Sequence, residues 1–515
     1  AYGPAARPAG APATGQGDSP AMANPRKKLV AGLNEATALS QGSGRFVSFL
    51  ERHQALFACA ISVAIVLQLQ LTYRVEGFPH DSAEYWYLAV MDKMQTIRGH
   101  RGYFFSLLLM PVRYLCDASA DPHTVYRVVV AVFYGCVLPL LIPAFFVRAF
   151  GGKVTLLRRL IPVALIAQLF PGQLLYPLSD LPALLMTLGS FVLIFKATQE
   201  PAGRRKFILL MVGAGVLISG AYNTRTIYLF TMLGLIGLLL LAPSFRSSAH
   251  TRRIALSAFV AGLLVVALPQ GLLNQLTHGK FRLEVISQVN AKNLFISQLV
   301  WGITVQRYET SIDPAAPAPT VFYLDPVGQR IFDRISGERD LFTPRGYASA
   351  VARYPVEFLG LYTRHFINGL DVRDGQGYTI KASPYRNRTA VFNFLVLVLA
   401  SCVAFALRQK QARLPDYPAP PNWRLSLALL LLPVAAILPG AIETRFFLPL
   451  HLLAYCTIAF YFDTGALREM ARRHAIPTAV IVVAFAGTFF AITTSTMAGI
   501  SYQWPAIYRF GPLPK

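Results

Sequence analysis

The chain has 515 residues, 54% hydrophobic and 14% charged, with a formal net charge of +23. Soluble globular domains carry about 25% charged residues. A deficit of this size over the whole length, with a mean hydropathy of +0.46, excludes an ordinary soluble protein and predicts a polytopic membrane protein. The positive charge does not point to nucleic acid, because Lys and Arg cluster in short segments between apolar runs, as the positive-inside rule expects.

Residues 1–21 are rich in Ala, Pro and Gly and lack periodicity, which predicts disorder. MANPRKK from Met22 reads as a more natural start, and no cleavable signal peptide precedes the first apolar run. The stretch 1–50 is expected to be a disordered, basic, cytoplasmic N-terminus. A spanning helix needs about 20 mostly apolar residues. About eleven runs qualify: 54–72, 123–148, 160–175, 179–197, 207–222, 226–243, 254–275, 389–407, 425–441, 446–462 and 477–498.

Basic clusters fall on alternate connections: Arg26-Lys27-Lys28, Lys153/Arg158/Arg159, Arg204-Arg205-Lys206, Arg252-Arg253, Arg408/Lys410/Arg413 and Arg472-Arg473. This predicts a cytoplasmic N-terminus and a periplasmic tail at 499–515. The expected layout is a transmembrane core at 51–275, a periplasmic segment at 276–388 and C-terminal spans at 389–498. The first periplasmic loop, 73–122, holds two amphipathic stretches, DSAEYWYLAVMDKM and GYFFSLLLMPVRYLC, whose aromatic residues suit the membrane interface. The segment 276–388 carries the Pro-rich DPAAPAPT (313–320) and then helical periodicity through 347–370. It reads as a small domain over the membrane surface. Its arginines, among them Arg330, Arg334, Arg339, Arg345 and Arg353, alternate with acids, as a solvated mixed-charge surface would.

Five cysteines, Cys59, Cys116, Cys136, Cys402 and Cys456, form no CxxC pair, so neither a disulfide framework nor a zinc site is indicated. His80, His100 and His123 fit no metal spacing, and no cofactor is indicated. Ionisable residues at a membrane boundary are costly and prompt a functional hypothesis. On the periplasmic side of this topology they are Asp81 and Glu84 after the first span, Asp180 at the head of the fourth, Arg225, and Glu443 with Arg445. Each also has a local reading. Asp81-Ser82-Ala83-Glu84 fits a D-x-x-E capping box with Asp81 as N-cap. Ser179 or Asp180 can cap the fourth span. Arg225 and Arg445 can snorkel to headgroups, and Glu443 can be the ion-pair partner of Arg445. Four connections nonetheless place charge at one membrane level, where a bundle could gather it.

The order and placement of these features resemble the polytopic glycosyltransferases of the GT-C fold, in particular bacterial members related to protein mannosyltransferases and the lipid A aminoarabinose transferase. The resemblance runs over roughly residues 50–500. It rests on the acidic residue after span one with interfacial helices behind it, GHRGYFFSLLLMP (99–111), PLSDLPALLMTLGSF (177–191), Arg225 between two spans, the large late segment, and ETRFFLPLHLLAY (443–455). It implies an all-α GT-C bundle with a small periplasmic domain in a bacterial inner membrane. It also implies transfer of one sugar, with inversion, from a polyprenyl-phosphate donor to a cell-envelope glycan such as a lipopolysaccharide component, another lipid or a protein. Carried over, Asp81 matches the catalytic base and Asp180 the second acidic position, with Glu84 extending the acidic pattern. Arg225 and Arg445 match residues near the donor phosphate, and His80 and Glu443 are expected beside substrate. The family often has two adjacent acids in the first loop. Here His80 precedes Asp81, which gives no support to metal dependence. Two other classes handle lipid-linked glycans. A flippase or transporter would place polar groups at midspan, and a polysaccharide polymerase or ligase would carry arginine-rich outer loops.

Overall fold

A computed structural model describes residues 53–94, 102–199, 203–241, 249–289, 292–335, 341–373, 378–379, 387–413 and 423–505. Nearly all of them belong to one compact unit, 55–515; of the other unit, 1–54, only His53 and Gln54 are included. The expectations for 1–50, His100, Arg339 and the tail after 505 lie outside the described residues.

The chain is mostly helical. Its first half runs through α1 (His53–Tyr73), α2 (His80–Tyr87), α3 (Met91–Met94), α4 (Phe104–Asp117), α5 (Pro122–Phe150), α6 (Leu156–Leu169), α7 (Gly172–Leu175), α8 (Asp180–Gln199), α9 (Arg204–Thr224), α10 (Leu229–Leu241) and α11 (Ala249–His278). A smaller mixed region follows: β1 (Gln288–Val289), β2 (Lys292–Asn293), α12 (Leu294–Trp301), β3 (Val305–Thr310), β4 (Thr320–Leu324), α13 (Pro326–Ile335), α14 (Pro344–Arg353) and α15 (Pro355–Leu370). The last helices are α16 (Asn387–Arg413), α17 (Trp423–Ile437), α18 (Leu448–Tyr461) and α19 (Thr464–Ala498), before the short β5 (Ile500–Ser501).

Among the described residues, seven helices are long and apolar enough to cross a membrane: α1, α5, α8, α9, α11, α16 and α19. This is the make-up of a polytopic membrane protein, and the seven fall on seven of the runs expected to span. The other four runs form shorter or broken helices. The run 160–175 divides into α6 and α7, where Pro171 cannot continue the first helix. The run 226–243 starts from extended backbone at Arg225 and a 3-10 turn, Thr226–Tyr228. Helix α17 stops at Ile437, and α18 begins only after a second 3-10 turn, Thr444–Phe447. Arg225, Glu443 and Arg445 all come from these interruptions.

Helix α8 is buried on nearly every side, while α19 is hardly buried at all. An evenly apolar helix such as α8 suits the centre of a bundle. Its Leu184, Leu188 and Phe191 join Phe145 of α5, Ile166 of α6 and Leu452 of α18 in the main core. Helices α9 and α11 meet backbone to backbone at Gly215 and Gly262. A Cβ on Gly215 would lie 2.1 Å from the Phe259 carbonyl oxygen, and one on Gly262 2.1 Å from that of Val212. Small residues at such a crossing let helices approach closely. Above it the Asn223 side-chain amide donates to Gln270 Oε1 at 2.8 Å.

The all-α expectation misses a small antiparallel sheet, β3-β4-β5, and a β1-β2 ladder. The helix expected through 347–370 is two helices. Tyr354 parts them because it precedes Pro355, and residues before proline are pushed out of the helical region. The region has its own apolar core, including Ile303, Ile331, Phe332 and Phe358. As expected of a solvated surface, Arg330, Arg334, Arg345 and Arg353 are exposed. Strand β3 also bonds to the chain before the second 3-10 turn: the Tyr308 N–H donates to the Ile442 carbonyl at 2.9 Å. That bond brings the sheet against Glu443 and Arg445.

Candidate functional site

The turn that starts α2 is not built as the capping box predicts. Pro79 stands at the N-cap without a side-chain bond, and Asp81 lies inside the first helical turn. The helix start is closed from elsewhere in the chain. The Ser82 N–H donates to the Tyr378 hydroxyl at 2.9 Å, and that hydroxyl donates to the Pro79 carbonyl at 2.8 Å. His80 Nε2 sits 3.1 Å from the Ser311 carbonyl oxygen. This frees the Asp81 carboxylate to point away from its own helix. Glu84 lies one turn further along, partly buried, and the cluster described next is built without it.

Asp81, Asp180, Arg225, Glu443 and Arg445 come together. Asp180 is the first residue of α8, and its Oδ1 lies 2.5 Å from Arg225 Nη2. Arg445 divides its guanidinium among three acids. Nε bonds to Glu443, Nη2 to Asp81 Oδ2 at 3.0 Å, and Nη1 lies 3.6 Å from Asp180 Oδ2. The Phe446 ring lies 5.0 Å from the Arg225 guanidinium and 5.8 Å from that of Arg445. Neither arginine snorkels outward; both are drawn into the cluster, whereas the local pairing of Glu443 with Arg445 holds. The acids differ in access: the Asp81 side chain is 27% exposed, Asp180 8% and Glu443 1%. Burial pushes the Glu443 carboxyl up to about 7. Arg445 opposes the rise and the Glu309 carboxylate adds to it.

A cavity of about 350 Å³ opens from this cluster. Asp180, Arg225, Glu284 and Arg445 are its charged lining residues, with Thr224, Ser287, Asn293 and Gln298 among the neutral polar ones. Leu229, Phe230, Leu294, Phe295 and Ile437 are among its apolar lining residues. A larger groove of about 660 Å³ runs along the other face of α2, beside Phe78, Trp86, Arg113 and Tyr126. Arg113 there pairs with Asp117 at 2.8 Å, and His123 lies at its edge. The groove holds none of the five clustered groups.

A second buried cluster escaped the sequence reading. Arg307 bonds to Glu309 through Nε at 2.8 Å and to the Asp371 carbonyl oxygen through Nη1 at 3.0 Å. Arg373 Nε reaches Asp371 Oδ2 at 2.6 Å, and its other nitrogens reach Asn387 and Thr493. The clusters join at Thr444, whose N–H and hydroxyl both donate to Glu309 Oε1, at 3.2 and 2.8 Å. A partial signal was present in VQRYET, where Arg307 and Glu309 stand two apart on one strand and so share a face. Nothing local marks Tyr378.

Comparison of the chain with family models, with curated proteins and with solved structures gives no match.

Proposed function

We propose that the chain is a membrane glycosyltransferase of a bacterial inner membrane, with its site on the periplasmic face. It moves one sugar from a polyprenyl phosphate to a hydroxyl of a cell-envelope glycan or lipid, with inversion. The observation that carries this reading is the cavity. Arg225 and Arg445 line it together with aliphatic and aromatic side chains, and the partly exposed Asp81 carboxylate pairs with Arg445. That lining fits a ligand with a phosphate head and a prenyl tail.

An acceptor hydroxyl is a weak nucleophile, and a carboxylate that takes its proton during attack accelerates the step. Asp81 is the most open of the three acids and is the base. The acceptor oxygen bonds to the anomeric carbon, the carbon–phosphate oxygen bond breaks, and polyprenyl phosphate leaves. Arg225 and Arg445 stabilise the charge that builds on the leaving phosphate, since a guanidinium fork matches phosphate oxygens. Asp180 keeps Arg225 aimed at the cavity head.

The test is Asp81→Asn in the intact protein, with mass spectrometry of envelope glycans and a transfer assay on the sugar so identified. Removing a general base should lower transfer by about 10²–10⁴-fold while the protein still folds and binds polyprenyl phosphate. Near-normal transfer by a folded Asp81→Asn protein would sink the base assignment.

A further inference from the structure

Two buried oxygens of residues that line the cavity have no hydrogen-bond partner among the described residues: Asp180 Oδ2 and Thr224 Oγ1. Folded proteins rarely leave buried polar atoms unpaired, because their desolvation is costly. Asp180, 6% exposed, starts α8, and Thr224, 4% exposed, ends α9 just before Arg225. The Asp180 carboxylate is divided. Oδ1 holds Arg225 at 2.5 Å, while Oδ2 lies 3.6 Å from Arg445 Nη1, too far for a hydrogen bond. Arg445 Nη1 makes no described hydrogen bond either, since Nε serves Glu443 and Nη2 serves Asp81. Glu284, the other acid on the cavity lining, is open to solvent and faces Arg282 at 3.5 Å.

The chemistry of these groups decides what they can hold. A carboxylate only accepts, a guanidinium only donates, and a hydroxyl does both. A phosphodiester has acceptors alone. It suits Arg445 Nη1 and leaves Asp180 Oδ2 unmet, so the phosphate must arrive with a hydrogen-bond donor close beside it. A hydroxyl fills that role and can also accept from Thr224, whereas an ammonium has nothing for Thr224 to donate to. Both oxygens are shielded from solvent, and a ligand meets them after the side-chain turns that binding commonly brings. In a glycosyl phosphate the hydroxyl nearest the phosphate is the one on C2, beside the anomeric carbon.

We infer that Asp180 and Thr224 bind the C2 hydroxyl of the transferred sugar, so that the site takes 2-hydroxy sugars and rejects 2-deoxy ones. The inference deepens the proposed phosphate role of Arg445 and rests on it. Asp180 thereby does two things, one per oxygen: it holds Arg225 and it reads the sugar. The contact also serves the reaction. Positive charge develops at the anomeric carbon during transfer, and hydrogen bonds to the neighbouring hydroxyl strengthen as it does.

The probes are polyprenyl 2-hydroxyethyl phosphate and polyprenyl ethyl phosphate, titrated calorimetrically into the full chain in lipid nanodiscs. They share one phosphodiester and differ by a hydroxyl placed as the C2 hydroxyl is. The wild type should bind the hydroxyethyl ester roughly 10–100-fold tighter, the range of a hydrogen bond to a charged group. Asp180→Ala should weaken both esters, as Arg225 loses its partner, and bind them alike. Thr224→Val leaves the Asp180–Arg225 pair in place and should lower the preference severalfold. Equal binding of the two esters by the wild type would overturn the subsite and leave the phosphate site standing. A preference undiminished in either variant would strike that residue from the subsite. If Asp180→Ala does not fold, Asp180→Asn takes its place: it keeps an oxygen for Arg225, sets an amide nitrogen where Oδ2 stood, and should shrink the preference. Binding of neither ester would overturn the phosphate site and the subsite together.

Discussion

The Tyr378 hydroxyl lies between two backbone groups of the turn that carries Asp81, and His80 between them adopts a φ of 52°. A left-handed φ is uncommon outside glycine, and a residue held there costs of order 1–3 kcal/mol unless its surroundings over-determine it. Here the surroundings are the Tyr378 hydroxyl and the His80 bond to Ser311. Tyr378→Phe removes two hydrogen bonds while keeping the ring, which packs 4.8 Å from Tyr176. It strands the N–H of Ser82, a fully buried residue. The expected loss is about 1–3 kcal/mol of stability, visible in thermal unfolding. With Asp81 as the proposed base, transfer should fall roughly tenfold or more as its carboxylate drifts, with affinity for the proposed phosphate ligand unchanged. A rate and a melting point both equal to wild type would show the turn to be held by other means. The sequence could not reveal this arrangement. D-x-x-E is a local rule that names Asp81 a cap, whereas the group that closes the turn is 296 residues further along. Arg445, the partner of the Asp81 carboxylate, is 364 residues away.

Helices were the most legible level, because a long apolar run carries its own signal. All seven long helices coincide with expected spans. The four runs that fall short contain Pro171, Arg225, Gly440 or Pro449 at or beside their breaks, and hydropathy averages across such residues. The breaks matter because they turn backbone and charge into the cavity. Helix positions also matter to the site: α9 ends at Thr224, so the α9–α11 crossing sets where Arg225 stands. Gly215→Ala or Gly262→Ala would drive a methyl into a carbonyl oxygen of the opposite helix, which is backbone and cannot swing aside. Overpacking of this kind costs about 1–3 kcal/mol, so each variant should melt earlier in detergent and lose phosphate affinity as Arg225 shifts. Gly237→Ala on α10, whose methyl meets nothing within 4 Å, should stay within about 1 kcal/mol of wild type. Equal behaviour of the three variants would show that the crossing is looser than its geometry.

Among the described residues, buried charge gathers in two clusters that join at Thr444. The first, around Arg445, holds three acids and two arginines, and Asp180, Arg225 and Arg445 of it line the cavity. The second holds Glu309 and Asp371 against Arg307 and Arg373, and it ties β3 and the end of α15 to α16 and α19. Thr444 donates to the second while its neighbours Glu443 and Arg445 belong to the first. The second cluster therefore fixes the backbone from which the first projects. Asp371 is its centre, being fully buried and shared by both arginines. Removing one member of a buried charge network leaves the others uncompensated, at a cost of about 3–5 kcal/mol. Asp371→Ala should therefore melt far earlier than wild type. In the fraction that folds, it should bind the proposed polyprenyl phosphate more weakly, because Arg307 and Arg373 would lose the carboxylate they share. The control is Arg364→Ala. This arginine bonds to Asp325 at 2.6 Å in the same 276–388 segment but is partly exposed and makes no described bond to either cluster. Its loss should lower stability less and leave phosphate affinity alone. If Asp371→Ala and Arg364→Ala weakened phosphate binding equally, the segment would act through general stability. A loss confined to Asp371→Ala would mean that the charge network itself carries the position of Arg445.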